Sequence, residues 1–303
     1  MLAGEPNALL TADPASHSHG PAAQNQDPAS QRYSYHRHAL VVRITHWVNA
    51  LALALLLMSG LQIFNAHPSL SWGKSSYGQR APIFETSAAM AADGRPVGIT
   101  RIFDHRFNTT GVLGLSNEAG RQVPRGFPSW LTVPSFRWLG MARHWHFFLA
   151  WLLVINGGVY LTTSVLSRHL SRDLVPTRLD WRSIGRSILD HVRLRHPTGA
   201  AAARYNVLQK LAYLTVIFVL LPLMILTGWA MSPRLDSLLP GWVDLLGGRQ
   251  SARTLHFVVA WTLVLFVLIH VFEVLISGVW NNLRSMITGR YDIAPDHTPQ
   301  ERP

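Results

Sequence analysis

The chain has no cysteine in 303 residues. That absence excludes disulfides, iron–sulfur clusters and zinc–thiolate sites, and it leaves the redox compartment open. Charge is also scarce. Asp, Glu, Lys and Arg make up 14% of the residues, where a soluble protein carries about a quarter. Acidic residues are the scarcer kind, 16 against 27 Lys and Arg, and the net charge is +11. No nucleic-acid-binding motif accompanies that charge. The arginines read instead as loop residues that set membrane topology and meet anionic lipid. Residues 1–35 lack any apolar run. Rich in Ala, Pro, Ser, Gln and His, with neither the apolar stretch nor the cleavage site of a signal peptide, they read as a disordered tail.

What is abundant is apolar. Hydrophobic residues make up 48% of the chain, and four runs reach the roughly 20 residues a spanning helix needs. They cover residues 44–64, 145–166, about 211–231 and 254–278, the third with a kink expected at Pro222. These predict an all-α fold, an integral membrane four-helix bundle over residues 36–291, followed by a cytoplasmic tail at 292–303. Arg32, Arg37 and Arg43 precede the first run, eight arginines from Arg168 to Arg204 fill the link between the second and third, and Arg284 and Arg290 follow the fourth. Only Arg234, Arg249 and Arg253 stand in the short link on the opposite side, so both termini are expected in the cytoplasm.

Two connections stand out. The long extracytoplasmic loop between the first and second helices, about residues 65–143, exceeds what a bundle requires, and its aromatics predict a folded cap or docking surface. On the other side, "DWRSIGRSILDHVRLR" sets Trp181, Ile184, Ile188 and Val192 on one stripe with arginines opposite, the pattern of a short helix lying on the membrane surface.

Of 15 histidines, His17, His19, His36, His105, His191, His196 and His297 fall in tails and loops and read as surface residues. Histidines in spanning segments mark function by default, because ionisable groups are costly in hydrocarbon. His256 and His270 lie 14 residues apart on the fourth run, hence on nearly one face and about 21 Å apart along the axis. That is too far to share one metal ion and suits two cofactors stacked across the membrane. Each needs a second ligand at its own depth. His46, at the start of the first run, lies at the level of His270, and His146, at the start of the second, at the level of His256. Two histidine pairs bridging helices are what two bis-imidazole b-type haems require. Without a C-x-x-C-H motif the haem is held non-covalently. Gly60, 14 residues after His46, lets a flat macrocycle approach the backbone or serves helix packing. The competing reading of the four histidines is interhelical hydrogen bonding. His144 faces away from His146, while His67 and His169, at helix ends, read as spare ligands or interface residues.

The stretches "HALVVRITHWVNALALALLLMSGLQIFNAHPSLSWG", "RHWHFFLAWLLVINGGVYL" and "RTLHFVVAWTLVLFVLIHV…WNNLRSMITGRY" resemble the bacterial membrane cytochrome b subunits of the hydrogenase, formate dehydrogenase and thiosulfate reductase type. The resemblance runs from about residue 38 to 291 and is strongest to the thiosulfate-reductase-type branch, often paired with a sulfite-oxidase-like molybdopterin protein. The long loop departs from the compact hydrogenase pattern. The resemblance implies His46, His146, His256 and His270 as axial ligands of the haem iron, and electron relay between a periplasmic catalytic subunit and the quinone pool of a respiratory chain. It implies a place for Arg43 at a haem propionate, beside its reading as a topology anchor. It also offers Glu273, one turn beyond His270, as a quinol-proton acceptor or a snorkelling residue.

The expectation is therefore a dihaem cytochrome b of the bacterial inner membrane, an electron-transfer subunit without catalysis of its own. Two alternatives stand beside it: a lone haem b quinone oxidoreductase reacting with a small oxidant such as superoxide, and a non-haem metal transporter.

Overall fold

The computed structural model describes residues 33–75, 81–193, 206–238 and 241–293. Most of both expected tails lies outside the described residues, as do His17, His19, His196 and His297.

Four helical spans carry the fold: α1 (Leu40–Phe64), α2 (Leu139–Leu166), α5–α6 (Val207–Thr215 and Leu221–Ala230) and α8 (Arg249–Ile276). All four are long and apolar enough to cross a membrane. They start four to six residues earlier than the apolar runs alone predict. The third span has a π-helical turn at Val216–Leu220 between its two α segments. Pro222 has no N–H to give the carbonyl one turn earlier, and the wider turn just before it absorbs that loss. Gly278, at φ +103°, ends α8 and turns the chain into the surface helix α9 (Val279–Thr288).

Backbone packing divides the spans into two hairpins. α1 lies against α2, and α6 against α8, whereas neither α1 nor α2 makes comparable backbone contact with α8. Asn156 of α2 fastens the first hairpin. Its buried Nδ2 donates to the Thr45 carbonyl (2.8 Å) and to Asn49 Oδ1 (2.7 Å).

The loop between α1 and α2 forms the cap that its aromatics foreshadow, and its structure is β. Strands β2 (Ser69–Leu70), β3 (Phe84–Met90), β4 (Pro96–Ile102) and β5 (His105–Asn108) make an antiparallel sheet in that order, and β6 (Gly114–Glu118) pairs with β7 (Arg121–Arg125). The cap is tied to the helix ends below it. Asn65, just past α1, exchanges hydrogen bonds with the Phe127 backbone, accepting at 2.6 Å and donating at 3.1 Å. Arg253 and Thr254 of α8 donate to the carbonyls of His67, Ser69 and Ser71. The buried guanidinium of Arg125 reaches Glu118 (2.6 Å), Gln62 of α1 (2.6 Å) and Thr132 (2.7 Å). Leu61, Phe64, Leu70 and Phe127 form the apolar core at this junction, with Phe84 and Phe257 against it.

At the opposite face, β1 (Tyr33–His36) pairs antiparallel with β8 (Arg290–Ile293). The expected tail thus ends earlier than residue 35, because its last residues find a ladder partner beyond α9. The surface stretch at 178–192 is helical as the stripe predicts, but in two pieces, α3 (Arg178–Arg182) and α4 (Ile184–Val192), bent at Ser183. Thr177 and Asp180 form a capping box at the start of α3, and Lys210 of α5 bridges to Asp180 at 2.8 Å.

Candidate functional site

The hairpins leave a gap between them, and four imidazoles reach into it. His46 of α1 faces His270 of α8 with ring centroids 6.3 Å apart, and His146 of α2 faces His256 of α8 at the same 6.3 Å. The 14-residue separation on α8 puts the first pair at the face carrying β1 and β8 (the terminal face). It puts the second under the cap (the cap face). Two metal–imidazole bonds of about 2 Å, plus about 1.1 Å from nitrogen to centroid in each ring, span roughly 6 Å. The spacing in each pair matches that of two imidazoles on either side of one metal ion. Direct ring-to-ring hydrogen bonding, the competing reading, finds no such contact in either pair among the described residues.

The cap-face pair is supported from behind. His146 Nδ1 lies 3.0 Å from Ser59 Oγ of α1, and His256 Nδ1 lies 2.9 Å from Thr227 Oγ1 of α6. Beside each hydroxyl stands a glycine. A Cβ on Gly60 would come within 3.3 Å of His146 Cε1, and one on Gly228 within 3.5 Å of His256 Cε1. Of the two readings of Gly60, room for a macrocycle and a small residue for helix packing, the contact with the His146 ring of α2 accords with the second.

The terminal-face pair is built differently. His270 stacks under Phe266 (6.0 Å, 13°), and Trp47 stands edge-on to His46 at 5.3 Å. Nδ1 of His46 is buried with no hydrogen-bond partner among the described residues, and so is Nε of Arg43, one turn away. A buried donor without an acceptor is costly, and an orphaned guanidinium nitrogen near a candidate metal pair is chemically suited to a carboxylate. These observations fit a haem: paired imidazoles on facing hairpins, and an arginine with an unpartnered buried nitrogen one turn from His46.

The other sequence candidates separate. His144 is exposed and points away from the gap, leaving His146 as the member of that dipeptide inside it. His67 is exposed, and its carbonyl serves as an acceptor for Arg253. Its imidazole is held below the usual histidine range by partial burial and by Arg253. His169 pairs with Asp173 at 2.7 Å, outside both histidine pairs. Glu273 faces α4, where its Oε1 lies 3.9 Å from Nε2 of His191. By sequence alone His191 reads as a surface residue, and Ser59, Thr227 and Gly228 do not stand out. The signal for the last three was present as a repeated dipeptide, Ser59-Gly60 in the first run and Thr227-Gly228 in the third.

Over residues 37–289 the chain matches the family described as prokaryotic cytochrome b561. It is 28% identical over 257 residues to the putative protein-methionine-sulfoxide reductase subunit YedZ1 of Azospira oryzae, covering 84% of this chain and 97% of that relative. It is 30% identical over 166 residues to the probable Ni/Fe-hydrogenase B-type cytochrome subunit of Cupriavidus necator, covering 50% of this chain and 67% of that relative. With four apolar spans and a match across most of its length, the chain belongs to the prokaryotic cytochrome b561 family of membrane haem b proteins.

Proposed function

We propose that the chain is a dihaem cytochrome b of the bacterial inner membrane, carrying electrons between a catalytic subunit docked on the cap and quinone at the terminal face. The observation that carries this reading is the pair of facing imidazoles at each end of the gap, both at 6.3 Å. His46 and His270 would hold one haem at the terminal face, and His146 and His256 a second under the cap. Haem b supplies a reversible one-electron change at its iron. The protein supplies ligands, orientation and a dry gap. Arg43 offers its buried Nε to a haem propionate. Glu273, one turn beyond His270 and 3.9 Å from His191, takes a proton from quinol in this reading.

Orientation and partner follow from sequence and kinship. Arginines cluster on the terminal-face segments, which supports a cytoplasmic location for both chain ends. The cap then faces the periplasm. The names of two relatives describe subunits of larger oxidoreductases, one for methionine sulfoxide and one a hydrogenase. A partner that bears the catalytic centre fits both. The folded cap supports such docking, and a molybdopterin protein of the sulfite-oxidase-like kind is the specific candidate. A superoxide-reacting lone enzyme would have no use for so large a platform, and a metal transporter none for two ion sites of identical span.

The test is haem stoichiometry with reduced-minus-oxidised spectra on the purified protein. Two b-type haems per chain are expected, with one lost in His146→Ala and the other in His270→Ala. A single haem in the wild type, or two in either variant, would overturn the assignment.

A further inference from the structure

The cap-face histidines are held by a device that occurs twice. In each hairpin the first helix offers a hydroxyl followed by glycine, and the second offers the imidazole that lies on them. Ser59 Oγ donates its one hydrogen to the Leu55 carbonyl (2.8 Å), with Leu56 O at 3.2 Å. Thr227 Oγ1 does the same toward Leu223 (2.7 Å), with Met224 O at 3.1 Å. Both residues are fully buried, so no water competes for these hydrogens. With its hydrogen committed to its own helix, each hydroxyl can only accept from the ring nitrogen beside it. In that arrangement Nδ1 of His146 and of His256 carries the proton, and Nε2 is left bare. The adjacent glycines let each ring lie close enough to the neighbouring helix for this bond to form. The terminal-face pair lacks the device on at least one side, since Nδ1 of His46 has no partner among the described residues.

We infer that Ser59 and Thr227 are positioning residues that fix the tautomer of the cap-face ligands and lower the reduction potential of the haem they hold. This rests on the dihaem reading above. A hydroxyl already donating to a carbonyl is polarised into a better acceptor. By drawing on Nδ1–H it makes Nε2 more basic, the effect that supporting hydrogen bonds have on metal-bound histidine generally. A more basic imidazole stabilises ferric over ferrous iron, so the potential falls. Two such bonds act on the cap-face haem, and the terminal-face haem is left higher than it would be with the same support. The consequence is a built-in difference between the two sites that owes nothing to the partner.

The experiment is a spectrally resolved potentiometric titration of the purified haem-loaded protein, with His146→Ala used to assign the cap-face midpoint. Ser59→Ala, Thr227→Val and the double variant are compared with Ser59→Thr and Thr227→Ser, which keep the hydroxyl. The expected result is an upward shift of the cap-face midpoint in each removal variant, larger in the double, with the terminal-face midpoint unmoved. The conservative swaps should restore wild-type behaviour. Selective loss of the cap-face haem in the double variant would likewise support the inference. Unchanged midpoints, or an equal shift in Ser59→Thr and Ser59→Ala, would overturn it. A wild-type protein with fewer than two haems overturns the underlying reading instead, and haem content measured beforehand tells the two failures apart.

Discussion

Removing the charge of Arg125 should free the cap from the helices while leaving the bundle intact. The guanidinium is buried, at 3% exposure, and holds Glu118, Gln62 and Thr132 at 2.6–2.7 Å. Hydrogen bonds to charged groups contribute about 1.5–3 kcal/mol each, so three of them represent roughly 4–9 kcal/mol in the gross sense. Against that stands the cost of desolvating the guanidinium, several kcal/mol, which leaves a net loss of about 3–5 kcal/mol when one partner of a buried pair is removed. Glu118 is partly exposed and can rehydrate, which places Arg125→Met toward the lower end. The double variant Arg125→Met/Glu118→Gln leaves no unpaired charge and should recover most of the loss, since an apolar replacement of a buried pair is often close to neutral. Hydrogen exchange and limited proteolysis across residues 114–136 measure this directly, and the haem spectrum reports on the bundle. Arg125→Met with wild-type protection of the cap would refute the reasoning. So would a double variant no better than the single.

Three further outcomes are expected. Asn156→Leu removes two interhelical hydrogen bonds beside His46, each worth about 0.6 kcal/mol in a membrane bundle. Thermal loss of the haem absorbance in detergent should come earlier by the equivalent of about 1 kcal/mol, and an unshifted midpoint contradicts the role given to Asn156. Gly60→Ala should disturb the cap-face haem spectrum more than Gly228→Ala, because the added carbon meets the ring at 3.3 Å in the first case and 3.5 Å in the second; the reverse order sinks the packing argument. His38, buried beside the β1–β8 ladder, has its pKa lowered to about 4 by burial, then by Arg37 and neighbouring histidines. The opened state takes up its proton from about pH 6.5 downward and the closed state only near 4. The ladder should therefore weaken as pH falls through that window, by up to about 3 kcal/mol. Exchange at residues 33–38 and 290–293 between pH 7 and 4 reads the effect, and His38→Gln should flatten it.

Much of this architecture is legible in the chain because the information is local. An apolar run of about 20 residues can do little but span, and two histidines 14 apart on such a run declare a face and a separation. Of His144 and His146, only the second faces an imidazole of α8 among the described residues. The cap is less legible. Its strands are short and only weakly alternating, although "ADGR" at residues 92–95 is a hairpin signal that forms the β3–β4 turn, with Gly94 at φ +79°. Ser59 and Thr227 could not be assigned from sequence, because their roles depend on which helix packs on which. A serine in an apolar helix bonding its own carbonyl is ordinary. Only the imidazole arriving from the next helix gives it a task. The meeting of Glu273 with His191 is hidden for the same reason, since it joins two elements 82 positions apart that no periodicity connects.

The sharing of α8 by both histidine pairs has a consequence for how the protein is made. Ribosomes deliver the chain from its N-terminus, and the first 248 residues contain His46 and His146 without either partner. A nascent chain with three spans inserted therefore holds half of each site and all of neither. His256 emerges before His270, so the cap-face pair can close first, and β8, which pairs with β1, follows later. Any product truncated before α8 lacks both complete pairs at once. A chain that ends between His256 and His270, by contrast, holds the cap-face pair alone.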